Sequence, residues 1–239
     1  MIKLKRGAKP TVLDTKADEW TEEFTAHVGP LSSMPNAQRY RYRHPDIKAA
    51  VKHDTHGKCV YCESYVSHVH PGEIEHIAPV SKCPELVVSW ENLTYVCTEC
   101  NREKGTYYEP TLPLVDPFVD EPGDHLVFYG PMVLHRSPSA RGEVTVQRVK
   151  LDRAGLIERR KERIEQLKGL VDRIIALPTG AQRSSLETVL SEELQDDKAY
   201  AATAREFIRQ EGLASQPASP QPPATGMAAK RTSVASDRS

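Results

Sequence analysis

The hydrophobic positions fall into blocks of differing period. Residues 1–12 are short, basic and extended, with Lys3, Lys5, Arg6 and Lys9 ahead of or beside Pro10. Between residues 14 and 28 (DTKADEWTEEFTAHV), Trp20, Phe24 and Val28 recur at four-residue spacing. That spacing puts them on one face of an amphipathic helix, which Gly29-Pro30 ends. Residues 36–44 (NAQRYRYRH) alternate arginine and tyrosine. A period of two fits a strand with tyrosines inward and arginines in water. Cations interleaved with aromatic rings are also what single-strand binders use, so Arg39, Arg41 and Arg43 are candidate nucleic-acid contacts. Pro45-Asp46 starts a second helix, with proline in the first turn, where its missing N–H is not needed. Ile47 and Val51 are its apolar positions, and Gly57 closes it.

Residues 59–105 read as a hairpin followed by a short helix. Pro110, Pro113 and Pro117 then mark a connector. Three apolar runs follow, His125–Tyr129, Met132–His135 and Glu143–Val149, punctuated by Gly130-Pro131 and Arg141-Gly142. They predict a small antiparallel meander. Residues 152–177 return to helical spacing. Ile157, Ile164 and Val171 fall seven apart, and Leu156, Leu167 and Ile174 fill the same stripe. Arg153, Arg159, Arg160 and Arg163 alternate with Glu158, Glu162 and Glu165, the pattern of a solvated face. The apolar stripe needs cover from the meander or from another chain. Two more helices are expected over about 181–195 and 197–211. From Ala214 the chain turns to Ser, Pro, Gln and Ala, too poor in apolar surface to offset chain entropy, and is expected to be disordered.

The predicted architecture is α+β in five parts. Residues 1–56 are a basic N-terminal segment with helices, 57–108 the core and 109–150 the connector with short strands. Residues 151–213 are helical and expected to dock a partner, and 214–239 are the tail.

The chain has 239 residues, 38% hydrophobic and 27% charged, with a formal net charge of −1. Global charge therefore does not advertise a polyanionic partner, and any such surface is local. No apolar run follows the basic N-terminus, and no stretch approaches the length of a membrane span. With reduced cysteines, these features point to the cytoplasm.

Four of the five cysteines form two pairs, Cys59 and Cys62 in CVYC and Cys97 and Cys100 in CTEC. Zinc takes four thiolates in a tetrahedron, and each CxxC turn supplies two. Four thiolates leave no open position, so this ion is structural. It holds a segment too small to keep its shape by burial alone. Cys83 has no such partner and reads as a free thiol. His53, His56, His68 and His70 lie near the first pair and read as surface residues or as alternative zinc or phosphate contacts.

Between and beyond the pairs stand Glu75-His76-Ile77-Ala78-Pro79, Asn92 and Asn101, with Lys104-Gly105 after them. An imidazole titrates near neutrality and suits His76 to activate water as a base. Glu75 and Asn101 offer the oxygen donors that Mg²⁺ prefers. A loop asparagine such as Asn92 fixes the backbone around the base, or holds its other nitrogen. Lys104, one helical turn after Asn101, is placed to meet a phosphate oxygen. Adjacent strand residues point to opposite sides. Glu75 and His76 can therefore flank one centre only if the strand bends or the substrate straddles it.

These residues resemble the HNH endonuclease family in its zinc-stapled branch. The resemblance implies a ββα-metal fold, phosphodiester hydrolysis, His76 as general base, Glu75 and Asn101 as ligands of a catalytic Mg²⁺ or Mn²⁺, and Asn92 as the central asparagine. Many members carry aspartate where this chain has Glu75. Taken with the opening MIKLKR and the helical C-terminal region, the pattern is most similar to PtuB-type HNH proteins. That similarity implies anti-phage defence, an ABC-type ATPase partner (PtuA-like), and in some systems a retron reverse transcriptase with its DNA. The substrate implied is DNA, with tRNA or other RNA as the second choice. The alternative is a non-catalytic zinc module that binds nucleic acid or a protein.

Overall fold

The computed structural model describes residues 1–67 and 70–213. The tail from Ala214 and His68 lie outside the described residues.

Helix α1 (Thr11–Thr25) starts directly after Pro10 and ends at Ala26. Leu13 and Phe24 are buried, with Ala17 and Trp20 packed beside them. The apolar face therefore runs from Leu13 to Phe24 and excludes Val28, which is 93% exposed. The predicted helix was set too late by its own first signal. Pro10 opens the helix, and Gly29, at φ +116°, stands in backbone that has already left it.

The arginine–tyrosine alternation is not a strand. Asn36–Arg39 forms one helical turn, α2, and Arg41–Arg43 a 3₁₀ turn. Pro35 and Pro45 bracket this segment. They leave little room for a ladder and fix φ near helical values at both ends. Helix α3 (Pro45–Asp54) follows as predicted, with Ile47 and Val51 fully buried.

Strand β1 (Glu73–His76) pairs antiparallel with β2 (Leu93–Val96), Glu73 opposite Val96 and His76 opposite Leu93. Helix α4 (Thr98–Lys104) packs back on the hairpin and ends at Gly105, φ +53°. This is the hairpin and helix expected for residues 59–105. Gly72, φ +69°, leads into β1 against the ring of Tyr95, where a Cβ would overlap the aromatic carbons. The Tyr95 hydroxyl donates to the Pro71 carbonyl and locks this entry.

Only two of the three apolar runs are strands. β3 (Leu126–Tyr129) and β4 (Met132–His135) form a hairpin, whereas Ala140–Val149 is helix α5. Ser139 caps α5, its Oγ accepting from the Gly142 amide at 3.0 Å. Thr145, Val146 and Val149 then fall on one buried helical stripe. Gly142 is no turn residue. It lets α5 press on the His125 carbonyl, where a Cβ would come within 2.1 Å.

Helices α6 (Ala154–Ala176), α7 (Ala181–Glu193) and α8 (Ala201–Gln210) bury a second cluster around Leu167, Val171, Ile174, Leu190 and Phe207. The apolar stripe of α6 is thus covered within this chain. Arg160 leaves the predicted solvated face. It is 2% exposed and donates to the Leu151 carbonyl at 2.8 Å. Among the described residues no helix is long and apolar enough to cross a membrane.

The segment between α7 and α8 lies on the first cysteine turn. Lys58 Nζ donates to the carbonyls of Asp196 at 2.5 Å and Lys198 at 2.9 Å. Tyr65 donates to the Asp197 carbonyl at 2.6 Å. Glu63 accepts from the Ala202 amide, and Ser64 and Tyr200 share a 2.8 Å hydrogen bond.

Candidate active site

The two cysteine turns meet. Cys59, Cys62, Cys97 and Cys100 place their sulfur atoms within 4.8 Å of one another. Cys62 Sγ and Cys97 Sγ are 3.9 Å apart. A Zn–S bond of about 2.3 Å implies a tetrahedral edge of about 3.8 Å, so the cluster fits zinc. Surrounding donors suit thiolates. Arg153 reaches Cys100 Sγ at 3.4 Å, Ser64 Oγ lies 3.2 Å from Cys62 Sγ, and the Cys100 amide donates to Cys97 Sγ. Cys83 is buried outside the cluster, and neither His53, His56 nor His70 joins it.

β1 sends its side chains two ways, as pleating requires. Glu73 and Glu75 face α4. Glu73 Oε2 accepts from Asn101 Nδ2 at 2.5 Å, and Glu75 Oε1 lies 2.5 Å from Lys104 Nζ. His76 turns instead toward Tyr42, whose ring meets the imidazole edge-on at 4.5 Å. Its Nε2 donates to the Val87 carbonyl at 2.8 Å, which leaves Nδ1 as the nitrogen with a lone pair. Burial pushes the imidazole down to about 4, with Lys104 and Arg43 adding to the shift and the Val87 carbonyl opposing it. His76 is therefore neutral at physiological pH, the form a base requires. Burial also pushes the Glu75 carboxyl up to about 7 against the pull of Lys104.

Asn92 closes the loop between β1 and β2. Its Oδ1 accepts from the Ala78 amide at 2.7 Å, and its Nδ2 donates to the carbonyls of Ala78 at 3.0 Å and Leu86 at 3.1 Å. This clamp holds the turn that presents the Val87 carbonyl to His76, so Asn92 orients the base through the backbone. Lys104 is 3% exposed and does not reach outward. Besides Glu75, its Nζ meets the His76 carbonyl at 2.9 Å. Where a phosphate contact was expected, the structure puts a buried counter-ion.

A cavity of about 350 Å³ opens at the start of β1, lined by Tyr42, Arg43, Lys48, His70, Glu73 and Asn101; Glu75 and His76 stand outside its lining. A larger cleft of about 780 Å³, bounded by the N-terminal segment, β3 and α8, contains none of these residues. Of the three predicted arginines, only Arg43 lines the smaller cavity. Arg41 is held by Glu23 at 2.7 Å, and Arg39 rests 5.1 Å from the Tyr40 ring.

Sequence reasoning missed Glu73, Lys48 and the role of Tyr42. For Glu73 a signal existed: it stands two residues before Glu75, so any strand there puts both carboxylates on one face. For Lys48 there was none, because its position depends on how α3 packs. By type, the carboxylates of Glu73 and Glu75 and the Asn101 carboxamide suit a hard divalent ion; here Glu75 Oε1 is engaged by Lys104 and Glu73 Oε2 by Asn101 Nδ2.

Residues 59–106 match the HNH endonuclease family model. The chain is 31% identical over 147 residues to Septu protein PtuB of Bacillus thuringiensis, a match spanning 61% of this chain and 52% of that one. It is 27% identical over 194 residues to Septu protein PtuB of Bacillus mycoides, spanning 67% and 66%. The chain thus spans about half to two-thirds of the length of the curated relatives it matches. The zinc-fitting cysteines, the ββα unit and the family match agree: this chain contains an HNH-type endonuclease domain, set in a protein similar along much of its length to Septu protein PtuB.

Proposed function

We propose that the chain hydrolyses phosphodiester bonds of nucleic acid, DNA by preference over tRNA or other RNA, as a divalent-metal-dependent effector of an anti-phage defence system. The observation that carries this reading is the tautomer-fixed His76 at the end of a strand whose other face bears Glu73 and Glu75, met there by Asn101 and Lys104 of α4. His76 Nδ1 accepts the proton of the attacking water. The Val87 carbonyl holds the ring, Tyr42 limits its swing, and Asn92 holds the neighbouring Leu86 carbonyl. Glu75 and Asn101, with Glu73 beside them, would hold Mg²⁺ or Mn²⁺, which supplies charge neutralisation at the phosphate and leaving oxygen. Lys104 opposes the burial that raises the Glu75 carboxyl to about 7. The substrate strand straddles the free edge of β1, which reconciles side chains that leave the strand on opposite faces.

Zinc in the four-cysteine cluster has a structural role. Similarity to PtuB supports a PtuA-like ABC-type ATPase as the controlling partner, with a retron reverse transcriptase and its DNA as further components in some systems. The helices after residue 151 are the proposed docking region, and the cytoplasm the proposed location.

The test is plasmid nicking and tRNA cleavage with Mg²⁺ or Mn²⁺, comparing wild type with His76→Ala, each with and without the ATPase. Cleavage that requires both metal and His76 supports the reading. Retained cleavage by His76→Ala sinks it.

A further inference from the structure

We propose that Arg43 and Lys48 form a subsite for a backbone phosphate of the bound strand, next to the phosphate that is cut. The inference rests on the nuclease reading for the identity of its ligand, and on geometry for its place. Both residues lie outside the family-matched segment, on the 3₁₀ turn and α3, yet they line the same cavity as Glu73 and Asn101.

Their charges are unspent. Neighbouring cations are consumed, Arg41 by Glu23 and Lys104 by Glu75. Among the described residues neither Arg43 nor Lys48 has a carboxylate within ion-pair distance. Arg43 is also held in place. Its Nε donates to the Tyr42 hydroxyl at 3.2 Å, and its guanidinium carbon lies 4.1 Å from the centre of the Tyr40 ring. That leaves the two terminal nitrogens as a fixed, planar fork, the geometry that matches two phosphate oxygens. Lys48 adds a compact charge to the same lining.

Electrostatics give the pair a purpose. A phosphodiester entering the cavity meets the carboxylate of Glu73, which repels it. Two cations beside it lower that barrier and select the approach along the cavity. Tyr42 is adjacent to Arg43 and touches His76, so a strand held by Arg43 is held at a fixed offset from the base.

The experiment measures equilibrium binding of a fluorescein-labelled duplex DNA and of a single-stranded RNA of the same sequence, across a NaCl series without divalent metal. The full chain carries His76→Ala, alone and with Arg43→Gln or Lys48→Gln, and Lys161→Gln on the exposed face of α6 is the control. Each cavity variant is expected to reduce the slope of log K against log salt by about 0.9 on duplex DNA or about 0.7 on a single strand. The control slope stays unchanged, and zinc content and thermal midpoint stay at the parent's values. The arm whose slope falls identifies the strand the subsite takes. Unchanged slopes in both arms overturn the subsite, as does an equal fall in the control. Cleavage is scored separately on the His76 wild type. A chain that shows the expected slopes and never cuts overturns hydrolysis and keeps the subsite. One that cuts with unchanged slopes does the reverse.

Discussion

Lys104 reaches from the end of α4 beneath the hairpin to Glu75, Nζ to Oε1 2.5 Å, with both side chains buried. Two charges taken out of water hold one another, and removing either leaves its partner stranded. Lys104→Met is therefore expected to cost about 3–5 kcal/mol of stability. Glu75→Gln in the same chain should recover part of that loss, because it removes the orphaned charge. Urea denaturation of the two single variants and the double variant checks this. A phosphate-binding lysine would give a Lys104→Met protein of unchanged stability.

Asn92 ties three backbone groups of the loop with one side chain. Asn92→Ala leaves these groups buried without partners and is expected to lower stability by about 2–4 kcal/mol. Cleavage should fall further than stability accounts for, since the Val87 carbonyl loses its support. Asn92→Asp keeps the acceptor for the Ala78 amide but sets carboxylate oxygens against two carbonyls. It should be worse than alanine. Denaturation midpoints and single-turnover rates measured together separate the two effects.

The Tyr42–His76 contact is apolar on the ring side, while the tyrosine hydroxyl serves Arg43. Tyr42→Phe should keep the hydrolytic rate and weaken strand binding. Tyr42→Ala should lower kcat about tenfold, a barrier increase of about 1.4 kcal/mol. Equal effects of the two substitutions on kcat would count against a positioning role for the ring.

Arg153 donates to Cys100 Sγ and also pairs with Glu99 at 3.1 Å. A cation beside a four-thiolate site offsets the site's excess negative charge. Arg153→Leu is expected to weaken zinc retention about 10–100-fold in competition with a chelator. Stripping zinc from wild type should unfold the hairpin region, visible as lost near-ultraviolet dichroism. Zinc affinity unchanged by Arg153→Leu would show that the arginine only packs.

Much of the core was legible because its chemistry is local. A CxxC turn brings two thiolates together by itself, and the Glu75-His76 and Asn101 positions lie on the hairpin and short helix expected between and after the two turns. The failures share the opposite cause. Glu143–Val149 alternates like a strand, but capping by Ser139 and the close approach of Gly142 to His125 decide for a helix. Arg160 looks solvated in its periodic setting, yet the Leu151 and Pro131 carbonyls draw it inward. Lys104 sits in a phosphate-like position along the chain, but the fold places a carboxylate above it. Each outcome is set by a contact between segments far apart in sequence, which no window of residues contains.

The bridge of Lys58, Tyr65 and Glu63 to residues 196–202 gives the domain an order of birth. During synthesis the cysteine turn leaves the ribosome long before the segment that covers it. A nascent chain has its four cysteines and strand β1 but lacks this brace, so the finished geometry waits until residues 196–202 have emerged. Prematurely ended translation products lack the brace altogether. On the nuclease reading proposed above, fragments that end before residue 196 lack the brace and so do not hold the finished site geometry.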